Sequence, residues 1–275
     1  MLGLVVLIGW IPSIGCGVDG GSHRGPGGED ITVDLPGGGS MEMVWIEPGT
    51  FVLGSPESEE GRRQDEGPQH EVEISQGFWL GKYEITQAQW ESVMGTTPWA
   101  GQEFVQPDPN HPAVYISWED MQSFVGRLNG AAERGLYRLP TEAEWAYACR
   151  AGTRTRWSFG DDESRLGDYA WYHDNTWEIG LEYPQAVGKK RPNPWGLHDM
   201  HGNVWEWCLD LYGAYSSRRQ IDPSGPDRLP LGRPERTMRG GSFSYNALGV
   251  RSAIRHGRAP LIVNFLLGAR LLRTK

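Results

Sequence analysis

The body of the chain holds two thiols, Cys149 and Cys208, and a third, Cys16, lies near its start. Copper or redox chemistry would need two thiolates side by side, because Cu(I) is soft and prefers sulfur. Cys149 closes an expected helix and Cys208 follows Trp205-Glu206-Trp207, so both read as small buried hydrophobes, with a disulfide between them as the alternative. Three cysteines build no disulfide framework. His198 and His201, three apart, could begin a zinc site, but no third ligand follows at a useful spacing.

The elements that would position these groups are short. One helix is expected after Thr86 as N-cap, running through Trp90 and Val93 to a stop at Gly95. A second follows Ser117, with Asp120 in its first turn and Met121, Phe124, Val125 and Leu128 at helical spacing before Gly135. The third opens on Pro140-Thr141-Glu142-Ala143-Glu144, a Thr-x-x-Glu capping box, and buries Trp145 and Ala148. Strands are expected at Met43–Ile46 and Gly49–Gly54, at His70–Ile74, and onward from Phe78. After Gly152 loops and short strands are expected, with no internal repeat and no second domain.

Glycine (38) and tryptophan (13) are both high, which suits an irregular fold held by aromatic plates and turns. A formal net charge of −9 argues against a general nucleic-acid binder. Leu2 to Ile14 is apolar apart from Gly9, Pro12 and Ser13 and ends in Ile14-Gly15-Cys16. Residues 1–16 therefore read as a secretory signal, with a lipoprotein-type signal lipidated at Cys16 as one of two alternatives left open. Residues 17–40, dominated by Gly, Asp, Ser and Pro, read as a flexible linker, and the folded domain as 41–275. The expected location is exported, in the periplasm or at the cell surface, touching membrane only through a lipid anchor.

Five motifs then occur in one order: Trp79-Leu80-Gly81-Lys82-Tyr83-Glu84-Ile85-Thr86, Arg138-Leu139-Pro140-Thr141-Glu142-Ala143-Glu144-Trp145, Asn193-Pro194-Trp195-Gly196-Leu197, Gly202-Asn203-Val204-Trp205-Glu206-Trp207 and Arg239-Gly240-Gly241-Ser242-Phe243. Over residues 41–273 the chain resembles the formylglycine-generating-enzyme (sulfatase-modifying-factor) family. The resemblance implies an α+β, irregular C-type-lectin-like fold with little regular secondary structure. The family's enzymes oxidise a sulfatase cysteine with copper held by two cysteines. Those cysteines belong between the Gly-Gly-Ser motif and an Arg-x-Ala-x-Arg segment, where this chain reads Phe243 to Val250 without a cysteine. Copper is therefore not expected. The resemblance also implies calcium (Ca2+), held by the side chains of Asp199 and Glu206 and the carbonyls of Gly202 and Val204, all hard oxygens.

Residues 239–274 lack Glu, Lys, Gln, Met, Trp and Asp altogether. Ordinary family members resemble an asparagine- and arginine-rich run here. This chain keeps the frame at Gly240, Gly241, Ser242, Ala247, Arg251, Ser252, Ala253, Arg255, Pro260, Gly268 and Arg270. Between these positions stand Ser244, Tyr245, Gly249, Ile254, His256, Arg258, Leu261, Ile262, Val263, Phe265 and Leu266, each reachable from an asparagine codon by replacing its two adenines. Adenine-directed replacement is how diversity-generating retroelements vary target proteins, many of which use this fold. With Asn246 and Asn264, these residues form the expected ligand-binding set, within 239–270 as the variable segment. The alternative is a drifted family member in which Leu261 to Leu267 is a buried strand. The expected function is a non-catalytic exported ligand- or protein-binding protein, acting as a monomer on a protein or cell-surface ligand. The rival is a formylglycine-generating or related metal-dependent oxidase.

Overall fold

A computed structural model describes residues 28–131, 135–226, 232 and 234–275. The signal expected at 1–16 and the linker residues 17–27 lie outside the described residues. Five strands come first: β1 (Ile31–Asp34), β2 (Ser40–Ile46), β3 (Gly49–Leu53), β4 (His70–Ile74) and β5 (Phe78–Gly81). Then follow α1 (Gln87–Met94), α2 (Trp118–Ala131), β6 (Tyr137–Arg138) and α3 (Glu142–Arg150). The remaining strands are β7 (Trp205–Leu211), β8 (Gln220–Ile221), β9 (Arg236–Arg239), β10 (Arg255–Arg258), β11 (Leu267–Gly268) and β12 (Leu272–Arg273).

Local chemistry sets the helix ends. Thr86 and Thr141 both close capping boxes, each hydroxyl accepting from the third helical amide while Gln89 or Glu144 reaches back. Gly95 ends α1 in the left-handed region at φ 67°, a conformation that favours glycine. The acidic residue Asp120 accepts from the Ser117 amide at 2.9 Å ahead of α2.

Three sheets result, in the orders β1-β2-β5-β12-β6, β10-β9-β7-β11 and β3-β4-β8. The strand next to the C-terminus thus lies inside the sheet begun by the first strands, joining β5 to the edge strand β6, with Leu272 opposite both Leu80 and Arg138. The main core packs Trp90, Trp118, Phe124, Trp205 and Trp207 between α1, α2 and the sheets. The smaller core beneath α3 gathers Val44, Val72, Phe78 and Trp145. No helix among the described residues is long and apolar enough to cross a membrane.

Two expectations need correction. Residues 31–34, read as linker, form β1, antiparallel to β2 from Ile31 opposite Met43 to Asp34 opposite Ser40. The β-branched run Ile31-Thr32-Val33 favours an extended, half-buried strand despite its glycine-rich surroundings. Trp79 Nε1 donates to the Glu29 carbonyl and the Trp45 amide to Asp30, fastening the residues ahead of β1. The stretch after Gly152 also contains helical turns at Glu163–Arg165, Leu166–Tyr169, His173–Asn175 and Trp177–Ile179. Single turns carry too few residues for a helical period to show in sequence.

Candidate functional site

The residues expected to hold calcium are buried near one another, where they differ in availability. Asp199, at φ 57°, accepts from the Gly188 amide at 2.7 Å through Oδ2, while Oδ1 is buried without a partner. Gly202 sits at φ 80°, where a side chain would strike the Trp171 carbonyl. The Val204 amide donates to Glu84 Oε1 at 3.1 Å, and Asn203 Nδ2 to Glu84 Oε2 at 2.5 Å. Glu206 is the second residue of β7 and is fully buried. It accepts from Trp145 Nε1 at 2.7 Å and pairs with Arg270 Nη2 at 2.8 Å, both side chains sealed from solvent.

Burial, followed by the charges of Asp199 and Glu206, holds Glu84 well above the usual carboxylate range. Burial likewise pushes Asp199 up to about 6, against the Gly188 hydrogen bond and Arg270. Three carboxylates thus face the Arg270 guanidinium, and of these Asp199 alone also feels Lys190. The orphaned Asp199 oxygen and this charge excess suit a hard cation. Glu206 does not fit the expected role, because Trp145 and Arg270 already take its lone pairs. Glu206 is a structural ion-pair partner, whereas Asp199 keeps an oxygen without a partner.

Neither the thiols nor the histidine pair forms a centre. Cys149 and Cys208 are free and buried, so the disulfide alternative does not hold. Burial pushes the Cys149 thiol up to about 11 and Cys208 well above its ordinary value. His201 is buried, its Nδ1 facing Val250 O at 3.0 Å and its Nε2 accepting from the Ser158 amide at 3.1 Å. An amide can only donate, so the proton sits on Nδ1. His198 is turned elsewhere, its Nδ1 against Lys190 O.

In the C-terminal segment, framework and intervening residues part company. Arg251 is buried and ion-paired to Glu66 at 2.6 Å and to Glu59. Arg255 pairs with Glu142 at 2.6 Å, with its guanidinium 4.0 Å from the Tyr215 ring centre. Arg239 lies 3.4 Å from the same carboxylate and donates to the Ser252 and Ala253 carbonyls. Burial would raise Glu142, but Arg255 and Arg239 outweigh it and hold it low. Gly268 is packed so closely that a Cβ would come 2.7 Å from Val204 Cγ2. These buried pairs were invisible in the sequence, where Glu59, Glu66 and Glu142 stand far from their arginines.

The intervening residues scatter over three settings. Ile254 is 5% exposed and belongs to the main core, so its place in the ligand-binding set is withdrawn. Tyr245 and His256 are half-buried, their rings edge-on to Trp205 at 5.6 and 6.1 Å. Ser244 and Gly249 are half-buried beside them, and exposed Asn246 caps the turn Ala247–Val250. Leu266 packs against the core, and Asn264 Oδ1 accepts from its amide at 2.8 Å. Arg258, Leu261, Ile262 and Val263 face solvent, and Phe265 is half-buried. Leu261 to Leu266 is therefore no buried strand; only Leu267–Gly268 pairs, with β7.

A sulfatase-modifying factor enzyme 1-like domain model matches residues 36–275. The chain is 37% identical over 168 residues to the formylglycine-generating enzyme of Streptomyces coelicolor, covering 56% of this chain and 50% of that protein. It is 26% identical over 327 aligned residues to the formylglycine-generating enzyme of Bos taurus, covering 88% and 84%. Treponema denticola variable protein 1 superposes with a TM-score of 0.75 at 27% identity, covering 90% of this chain and 99% of that one. PvdO from Pseudomonas aeruginosa gives a TM-score of 0.75 at 28% identity, covering 86% and 95%.

Proposed function

Because the chain belongs to the sulfatase-modifying-factor family, we propose that it uses that scaffold for recognition, as a non-catalytic ligand-binding protein acting through its C-terminal segment. It works outside the cytoplasm, as the apolar run Leu2 to Ile14 implies. The observation that carries this reading is the division of labour within 239–270. Arg239, Arg251, Arg255 and Arg270 are buried in ion pairs that hold the backbone, while Arg258, Leu261, Ile262 and Val263 face solvent. Side chains without structural duty can change at little cost in stability. The likeness to a protein named as variable supports the same reading.

The rival, an oxidase, draws on the formylglycine-generating enzymes among the relatives. It needs a thiolate pair, whereas Phe243 to Val250 contains no cysteine and both described thiols are buried and held protonated at neutral pH. Incubated with copper, reductant, oxygen and a sulfatase-type cysteine peptide, the protein is expected to leave the peptide's mass unchanged. Conversion to formylglycine at enzyme-like turnover would overturn the non-catalytic reading.

Calcium belongs to the proposal as a structural ion beside Asp199, supported by the buried oxygen that has no other partner. A cation that binds only the folded state raises stability by mass action. At a hundredfold excess over Kd, calcium is expected to raise Tm by about 5–10 °C. Asp199→Asn, which keeps an acceptor for Gly188, is expected to abolish the gain. Coincident melting in calcium and in chelator would remove calcium from the proposal.

A further inference from the structure

Three segments distant in sequence meet beside the exposed C-terminal loop. The Phe104 ring lies 5.5 Å from Trp177 and 4.9 Å from Phe265, and Trp177 lies 6.0 Å from the buried Phe243. The backbone beneath is fastened: the Tyr115 amide donates to Asn264 O, and the buried Thr176 hydroxyl donates to Phe243 O at 2.7 Å. Six large hydrophobic residues are exposed among the described residues, and five of them stand on these segments: Phe104, Ile179, Leu261, Ile262 and Val263. So many apolar side chains in one place mark a contact surface rather than ordinary scatter.

The two segments that flank the C-terminal loop here are charged with one sign, and the exposed Arg258 stands just before the loop. Residues 101–106 and 173–182 carry Glu103, Asp174, Glu178 and Glu182 and no lysine or arginine, while 259–267 carries no charge. All four carboxylates are exposed. Among the described residues none is paired with a lysine or arginine; Asp174 has only His173, at 3.2 Å.

Resting on the recognition reading above, we infer that the docking surface is composite. Phe104, Trp177 and Ile179 form a fixed half, Leu261, Ile262 and Val263 the half within the C-terminal segment, and the occupant is a protein segment presenting an apolar side chain flanked by lysine or arginine. Desolvating the apolar floor supplies affinity, and the acidic border orients a basic partner and speeds its approach. A symmetric contact with a second copy would set the same acids against each other. Nucleic acid and anionic lipid are repelled for the same reason.

Random heptapeptides displayed on phage, selected against the full chain at low salt, test this. Enriched peptides are synthesised and titrated against the parent, against Glu103→Gln/Asp174→Asn/Glu178→Gln, and against Leu261→Ser/Ile262→Ser/Val263→Ser. The expected peptides join Trp, Phe or Leu to Lys or Arg. The charge variant is expected to bind about tenfold more weakly, a loss that fades at high salt, and the serine variant at least as weakly. Both are expected to melt close to the parent, since only exposed side chains change; Glu178→Gln alone serves if the charge variant folds poorly. Acidic peptides, or a loss confined to the serine variant, overturn the composite surface and spare the recognition reading. Loss confined to the charge variant, loss in neither, or no enrichment overturns both. A parent dimer that the serine variant dissociates in sedimentation replaces the basic partner with a second copy.

Discussion

Glu206→Ala is expected to destabilise the protein by about 3–5 kcal/mol, because it removes the carboxylate that is hydrogen-bonded to the buried Arg270 guanidinium and leaves only the more distant charges of Glu84 and Asp199. Both side chains are fully buried. Arg270 has other acceptors in the Gly81 and His198 carbonyls, each at 2.8 Å, but neither neutralises its charge. The Trp145 indole would lose its acceptor as well. For a chain of this size the loss corresponds to a fall in Tm of roughly 6–20 °C, read by calorimetry or urea denaturation. Glu206→Met combined with Arg270→Met is expected to recover much of it, since an apolar pair of similar volume often replaces a buried ion pair without loss. A single variant that melts with the parent would show that the pair is not sealed from water.

The second large effect is a dependence on pH. Asp210 lies in β7, 4% exposed, accepting from the Glu142 amide at 2.8 Å. Burial, then the negative charge of Glu142, raises its carboxyl from 3.8 to about 8, with Glu144 adding to the push. Arg236 is the cation near it. With a folded value above the unfolded one, its stabilisation is complete below about pH 4 and is lost as pH climbs through 8. Asp210→Asn keeps the acceptor and removes the ionisation. The variant and parent are expected to be similarly stable near pH 4–5, with the variant ahead by a few kcal/mol near pH 9. A stability difference that stays constant from pH 5 to 9 would mean that Asp210 is not held neutral.

Legibility in the sequence followed the range of the interaction. Both helix starts at Thr86 and Thr141 rest on contacts between residues three apart, so the motif and the structure coincide. β1 was hidden because composition averaged over 17–40 outweighed a four-residue run whose partner strand lies beyond it. Ile254 was misplaced for a different reason. Frame and intervening positions alternate so closely that spacing cannot say which side chain turns inward, and tertiary packing puts this one against the core.

The sequence by itself determined the family, the α+β class and the positions of the three main helices, because ordered motifs and local capping chemistry are written in neighbouring residues. It also marked Phe243 to Val250 as lacking a thiol, a matter of composition alone. Only the tertiary structure decided that Glu206 is spent on Arg270, that Glu142 joins Arg239 to Arg255, and that Phe104 and Trp177 stand beside Phe265. Burial fixes whether a carboxylate is a free ligand or half of an ion pair, and burial arises from chain segments more than sixty residues apart.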